Sequence, residues 1–268
     1  MKKIAVIGYG FVGKAIVDLF KYHYKMEIYD PAYLEYNDKT KISKCDLAVI
    51  CVPTEMKLDG ECDLSIVEET IKWVDVPLIL IKSTIPPGTT KYLVEKYKKR
   101  ICFSPEYIGE GNYFVPFWKY PHPKELKYHD FMIIGGNRED CSDILSYFKP
   151  IMGPNAKYHI TNSNVAELTK YMENCWGATK VTFCNEFYEI AQVFNVDYDE
   201  LRELWLLDKR VERMHTLVFK EKRGFGGKCF PKDVNAIIKA SEKKGYDSML
   251  LKQILKSNDE FKKEPDEE

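Results

Sequence analysis

A chain of 268 residues has room for one large domain or two modest ones, at ~100 to 200 residues each. Its 40 Lys plus Arg against 41 Asp plus Glu give a net charge of −1, without the basic excess of a general nucleic-acid or membrane-surface binder. With 45% hydrophobic residues and ordinary Gly and Pro usage the chain buries a real core, which excludes disordered and fibrous classes.

Residues 3–7 (KIAVI) read as a short apolar strand, KAIVDLF behind them has helical spacing, and MEIYD is a second strand, so the chain opens as a βαβ unit. Further apolar runs at 46–52, 77–84, 101–104 and 131–136 are separated by helix-like stretches such as 65–73 and 89–98. Runs that are continuous rather than alternating suit strands covered on both faces, as in a doubly wound parallel sheet. From Asn162 the period changes. Val165, Leu168, Met172, Cys175, Trp176, Phe183, Phe187, Ile190 and Phe194 recur at three- and four-residue spacing, which predicts one helix of about 30 residues. Asn162 or Ser163 caps its start and Asn195 stops it. Its apolar positions run around much of the circumference, so burial is expected on more than one side, against its own sheet and a second subunit. A shorter helix is predicted from Asp197 and another from Lys232 to Lys243; the charged stretch from Lys256 onward is expected to fray.

The eight cysteines form no Cys-x-x-Cys pair and several sit in apolar runs, which points to reduced thiols, a cytoplasmic location and no metal site. No cleavage site and no apolar span of membrane length is present, so neither targeting nor a membrane is expected.

Gly8-x-Gly10-x-x-Gly13 sits directly behind a strand and opens a helix. The first glycine permits the tight turn, the second lets backbone N–H groups approach a pyrophosphate, and the third lets helix and strand pack closely. Asp30 ends the second strand, where a carboxylate accepts from a ribose 2′-hydroxyl and repels a 2′-phosphate, so NAD is expected rather than NADP. Four later segments are unusual for structural padding. STIPPGTT (83–90) and SPEYIGEG (104–111) follow strands, where an open α/β sheet places its ligands. Lys170 and Asn174 share one face of the long helix. GFGGKCFPKD (224–233) presents Cys229 and then Asp233.

These segments, with ICVPT, DGECD, AELTKYMEN and FNE between them, resemble in order those of the UDP-glucose/GDP-mannose dehydrogenase family. The resemblance implies a Rossmann-like doubly wound parallel sheet followed by a long central helix and a small helical domain. The expected divisions are an NAD-binding domain over 1–161, the long helix with a helical dimerisation and cysteine domain over 162–254, and a charged tail over 255–268. It also implies oxidation of a nucleotide-sugar C6 alcohol to the carboxylate in two NAD-dependent steps. Cys229 would be the nucleophile that forms a thiohemiacetal and then a thioester. Lys170 and Asn174 would stabilise the oxyanion, Asp233 with a water would handle protons, Thr84 would lie near that water, and Glu106 would serve thioester hydrolysis. Phe11, Val12, Pro53, Thr54 and Thr84 join Gly8, Gly10, Gly13 and Asp30 as implied cofactor contacts. Glu106, Glu110, Lys170, Asn174, Arg210, Phe225, Gly226 and Gly227 are the implied substrate contacts. The implied partners are the nucleotide sugar and a second copy of the chain, joined through the long helix.

The sequence also departs from the family pattern. The stretch between Asp30 and Asp46 is short, Gly109 stands where many members carry arginine, Glu212 replaces a glycine near Arg210, and an aromatic stretch comes after SPEYIGEG. The segment beyond Asp233 is far shorter than the ~100 residues a further nucleotide-binding domain needs, so the chain is expected to end one domain short of the family. Two alternatives stay open: a noncatalytic dimerisation partner of a longer relative, and a single-step hydroxyacid dehydrogenase, which offers no use for Cys229.

Overall fold

The structure, a computed structural model, describes residues 2–108, 126 and 129–263. It forms two compact units, Met1–Glu55 with Asp63–Lys170, and Met56–Cys62 with Tyr171–Glu268.

The first unit is built on a seven-stranded sheet of β1 (Lys3–Ile7), β2 (Lys25–Tyr29), β3 (Leu47–Ile50), β4 (Leu78–Ile81), β5 (Ile101–Phe103), β6 (Phe131–Gly135) and β7 (Lys157–Thr161), in the order β2-β1-β3-β4-β5-β6-β7. The first five strands are parallel, in register Ile4↔Met26, Ile4↔Leu47, Leu47↔Leu78 and Ile79↔Ile101. The sheet is mostly parallel, as expected, and reverses at its far edge: β6 runs antiparallel to β5, through Phe103↔Gly135, and β7 runs parallel to β6. An apolar run reports burial on both faces and carries no information on strand direction, so the reversal leaves no trace in the hydrophobic pattern.

Alternate residues of each strand enter opposite cores. Ile4, Val6, Leu47, Val49 and Leu80 pack with Ile16 and Phe20 of α1 (Phe11–Phe20) and with Ile144 and Phe148 of α4 (Arg138–Met152). Ala5, Ile7, Ala48, Ile50 and Ile79 pack with Val67 and Ile71 of α2 (Ser65–Trp73) and Leu93 of α3 (Thr89–Tyr97). At ~1.5 to 3 kcal/mol for each fully buried large aliphatic or aromatic side chain, these two layers dominate the stability of the unit.

The long helix α5 spans Ser163–Val193, 31 residues, close to the expected bounds. Asn162 Oδ1 accepts from the Val165 N–H at 2.9 Å, and Asn195 adopts a left-handed φ of 54° that ends the helical stretch. The chain by itself buries only part of the helix: Ala178, Cys184 and Ala191 are inside, while Met172 is 78% and Trp176 60% exposed, with Phe183, Phe187 and Ile190 also open.

In the second unit α5 continues into α6 (Tyr198–Trp205), α7 (Phe230–Glu242) and α8 (Met249–Phe261). Asp197 caps α6 by accepting from the Glu200 N–H at 2.9 Å. Ala178, Phe225, Val234, Ile238 and Ile254 form its core. The expected fraying from Lys256 is corrected, because α8 stays helical to Phe261. Asn258, 2% exposed, accepts from the Phe225 N–H at 2.6 Å and donates to the Phe225 carbonyl at 3.1 Å, so one polar residue in a charged stretch ties the helix down. Residues 264–268 of the tail lie outside the described residues. Among the described residues no helix is long and apolar enough to cross a membrane, and no group of three or more His, Cys, Asp or Glu could hold a metal ion.

Candidate functional site

The nucleotide-binding end begins where β1 stops. Gly8 has φ +91°, and a Cβ there would lie 2.5 Å from the Cys51 carbonyl oxygen; a Cβ on Gly13 would lie 1.9 Å from the Gly8 oxygen. Only glycine permits this turn and this approach of α1 to β1. Gly10, by contrast, has nothing within 4 Å of a notional Cβ, and no side chain caps the start of α1. With their share of the helix dipole, the first-turn N–H groups of α1 favour an anion at this end of the helix. Strand order reverses here, with β2 on one side of β1 and β3 on the other, the position at which doubly wound sheets bind ligands.

Asp30 follows β2 and accepts from the Tyr9 N–H at 2.7 Å and the Ala32 N–H at 2.9 Å. Tyr9 meets Tyr36 edge-on at 4.9 Å and Tyr33 at 5.8 Å, so the shortened stretch after Asp30 folds an aromatic cluster against the fingerprint turn. Phe11 is exposed and Val12 half-buried at the start of α1; Pro53 is exposed and Thr54 buried in the segment after β3. A cradle that excludes any Cβ, an uncapped helix start and a carboxylate at the next strand end fit a dinucleotide.

Two further strand ends belong to the same unit. Behind β4 comes Lys82, then half-buried Thr84 and the Pro-Pro turn. Behind β5, Glu106 accepts through Oε1 from the Tyr107 N–H at 2.8 Å and the Ile108 N–H at 2.9 Å, and its Oε2 lies 3.0 Å from Lys82 Nζ. Burial alone would push the Glu106 carboxyl up, but the Lys82 ammonium and the two backbone donors outweigh it and hold the group below its usual range. Lys170 Nζ stands 5.4 Å over the Tyr107 ring. Glu110 lies outside the described residues.

In the second unit Cys229 occupies the N-cap position of α7, half-buried, with Pro231 in the first turn behind it. Asp233, 1% exposed, accepts from Asn174 Nδ2 and pairs with Lys232 Nζ. The structure thus brings Asn174, Asp233 and the cysteine-bearing turn together. Cys175, next to Asn174, is a poor nucleophile: burial, with the Asp233 charge adding to it, pushes its thiol up to about 12. Phe225 is buried in the core of the unit, whereas Gly226 and Gly227 are exposed. Arg210 is exposed, its guanidinium held by Asp208, and Glu212 accepts from Lys180 Nζ at 2.9 Å through its carbonyl oxygen.

Motif reading assigns no role to several buried charged residues, Lys82 and Glu167 among them. Lys82 closes the apolar run of β4, and Glu167 lies three residues before Lys170 with 0% exposure. Glu167 accepts from the Gly88 N–H at 2.7 Å, the Thr90 N–H at 2.8 Å and the Thr90 hydroxyl at 2.6 Å. The available signal was a charge inside an otherwise apolar pattern, which spacing alone does not separate from a solvated face.

Fold and site together define a dinucleotide-binding α/β protein of the dehydrogenase type, with a helical unit that carries a cysteine–aspartate pair. Residues 32–150 match the model of the UDP-glucose/GDP-mannose dehydrogenase family, NAD binding domain, and residues 164–260 match that of its central domain. The chain belongs to this family, and its cofactor is NAD. It is 33% identical to a UDP-glucose 6-dehydrogenase of Rickettsia bellii over 236 residues, 84% of this chain and 51% of that relative. The chain spans about half the length of the curated relatives it matches. Among solved structures, a UDP-glucose dehydrogenase from Pyrobaculum islandicum superposes with a TM-score of 0.81 at 26% identity, over 97% of this chain and 68% of that one. A Mycobacterium tuberculosis 3-hydroxyisobutyrate dehydrogenase superposes with a TM-score of 0.71 at 14% identity over 97% and 94%, a likeness of fold alone.

Proposed function

We propose that this protein oxidises the C6 alcohol of a nucleotide sugar to the carboxylate, in the manner of UDP-glucose to UDP-glucuronate, through covalent intermediates on Cys229. The observation that carries this reading is the start of α7, where Cys229, Asp233 and Asn174 converge within one unit. NAD, bound at the glycine turn, supplies the hydride acceptor for both oxidations. The chain's own residues do the rest. Lys170 and Asn174 stabilise negative charge on the substrate oxygen as the alcohol becomes an aldehyde. The Cys229 sulfur adds to the aldehyde carbon, and the first-turn N–H groups of α7 favour negative charge at that end of the helix. Once the thiohemiacetal has been oxidised to a thioester, water displaces the sulfur with Glu106 as base, while Asp233 and Thr84 organise a bound water for proton transfer.

The same proposal includes a homodimer through α5, supported by the exposed stripe of Met172, Trp176, Phe183 and Phe187, since contiguous apolar surface of this kind marks an interaction face. None of the eight cysteines is in a disulfide, which suits a reducing cytoplasm.

The test is NADH formation with NAD and a panel of nucleotide sugars. Two NADH per uronate are expected, and Cys229→Ser should lower uronate formation by ~10³-fold or more. One NADH per product would favour the second reading, a single-step hydroxyacid oxidation. Wild-type protein inert towards every nucleotide sugar would sink the first.

A further inference from the structure

Lys82 and Glu106 form an ion pair with both ends buried, each 6% exposed. The ammonium lies 3.0 Å from Glu106 Oε2 and donates to the Pro105 carbonyl at 3.1 Å and to Ser104 Oγ at 3.4 Å. Oε1 is taken by the Tyr107 and Ile108 N–H groups, and the ammonium charge stands beside Oε2. A buried pair of this kind is costly to desolvate, and an apolar pair of similar volume often serves stability as well, so stability alone does not account for it. A cavity of about 30 Å³ lies against the pair, lined by Lys82, Ser104, Glu106, Tyr107 and His129 among others, with room for a water. Among the described residues, the other titratable groups facing the carboxylate are the Cys51 thiol behind β3 and the His129 ring.

We infer that Lys82 is a positioning residue for thioester hydrolysis, its ammonium fixing Glu106 as an oriented carboxylate able to take a proton from the attacking water. This rests on the reading of Glu106 as the hydrolytic base. In that step a water O–H bond breaks and its proton passes to Glu106. The water oxygen bonds to the acyl carbon, the C–Sγ bond breaks, and its electron pair leaves on the Cys229 thiolate; no oxidant or reductant is consumed. Without the Lys82 charge, a carboxylate buried at this depth takes up a proton and loses its capacity as a base.

The experiment compares wild type, Lys82→Met and Glu106→Gln with NAD and UDP-glucose, following NADH by stopped flow and the protein by intact mass. K82M should still release two NADH per site in a first turnover and then slow by ~10²-fold, with an acyl adduct on Cys229 as in E106Q. Wild-type turnover in K82M, or loss of the first oxidation without an adduct, overturns the inference. An independent measurement needs no turnover: isotope-edited infrared spectra of glutamate-labelled protein, with E106Q as the difference blank. Glu106 is expected ionised at neutral pH in wild type and protonated in K82M; an ionised Glu106 in K82M overturns the role of Lys82. Inert wild type together with the expected infrared shift instead counts against the reading of the function. Should K82M fail to fold, Lys82→Gln removes the charge while keeping a polar side chain, and wild-type hydrolysis in that variant likewise overturns the inference.

Discussion

Asp30 holds two backbone N–H groups, from Tyr9 and Ala32, while standing where a ribose would be read. Replacing it with alanine removes a charged acceptor from the fingerprint turn, and hydrogen bonds to charged groups contribute ~1.5 to 3 kcal/mol each. Asp30→Ala should weaken NAD binding by about tenfold or more and leave NADPH binding unchanged or improved, as measured by calorimetry. Glu106 has a pH signature of its own. Its folded-state carboxyl lies below the ordinary glutamate value of ~4.3, so its contribution to stability is present above that pH and lost as pH falls through the lower folded value. In Lys82→Met the same carboxyl, buried without its cation, moves above the ordinary value and the sign reverses: stability then falls as pH rises from the ordinary value through the higher folded one. Urea midpoints between pH 6 and pH 3 distinguish the two slopes, and equal slopes in wild type and K82M would contradict the geometry. Motif reading found Glu106 but not Lys82, because a lysine at a strand end looks the same in sequence whether it faces solvent or a buried acid.

At the scale of elements, α5 is held by more than its apolar stripe. The Glu167 carboxylate accepts three hydrogen bonds at the start of α3, two from N–H groups that the helix cannot satisfy and one from a hydroxyl, and so joins α5 to the loop behind β4. Burial raises its carboxyl against the pull of those donors. Glu167→Ala leaves buried donors unsatisfied at ~1 to 3 kcal/mol each, so a loss of about 3 kcal/mol in urea unfolding is expected, and under 1 kcal/mol would show that the cap matters little. Lys170 comes one turn later on the same helix. The bounds of α5 were readable because three- and four-residue spacing, Asn162 and Asn195 all agree. The helical part of the tail was not, since Asn258 looks polar in sequence and is buried only because Phe225 offers it both a donor and an acceptor.

For the molecule as a whole, the exposed apolar stripe of α5 sets the next expectation. Wild type should sediment as a dimer, and a Met172→Asp, Trp176→Glu pair of changes, both at exposed positions, should give a folded monomer; a wild-type monomer at micromolar concentration would remove the proposed interface. The likeness to the curated relatives covers about half their length, and activity on a particular nucleotide sugar is therefore a matter for assay. The sequence by itself determined the βαβ opening, the glycine turn, the long helix and the order of the dehydrogenase motifs, since each is carried by local spacing or by a residue type with a specific backbone role. Only the tertiary structure decided the reversal of β6 and β7, the helical course of the last described turns, and the partners of Lys82, Glu106, Glu167 and Asn258. Those depend on which side chains distant in sequence meet in a low-dielectric interior, and no period or spacing along the chain encodes that meeting.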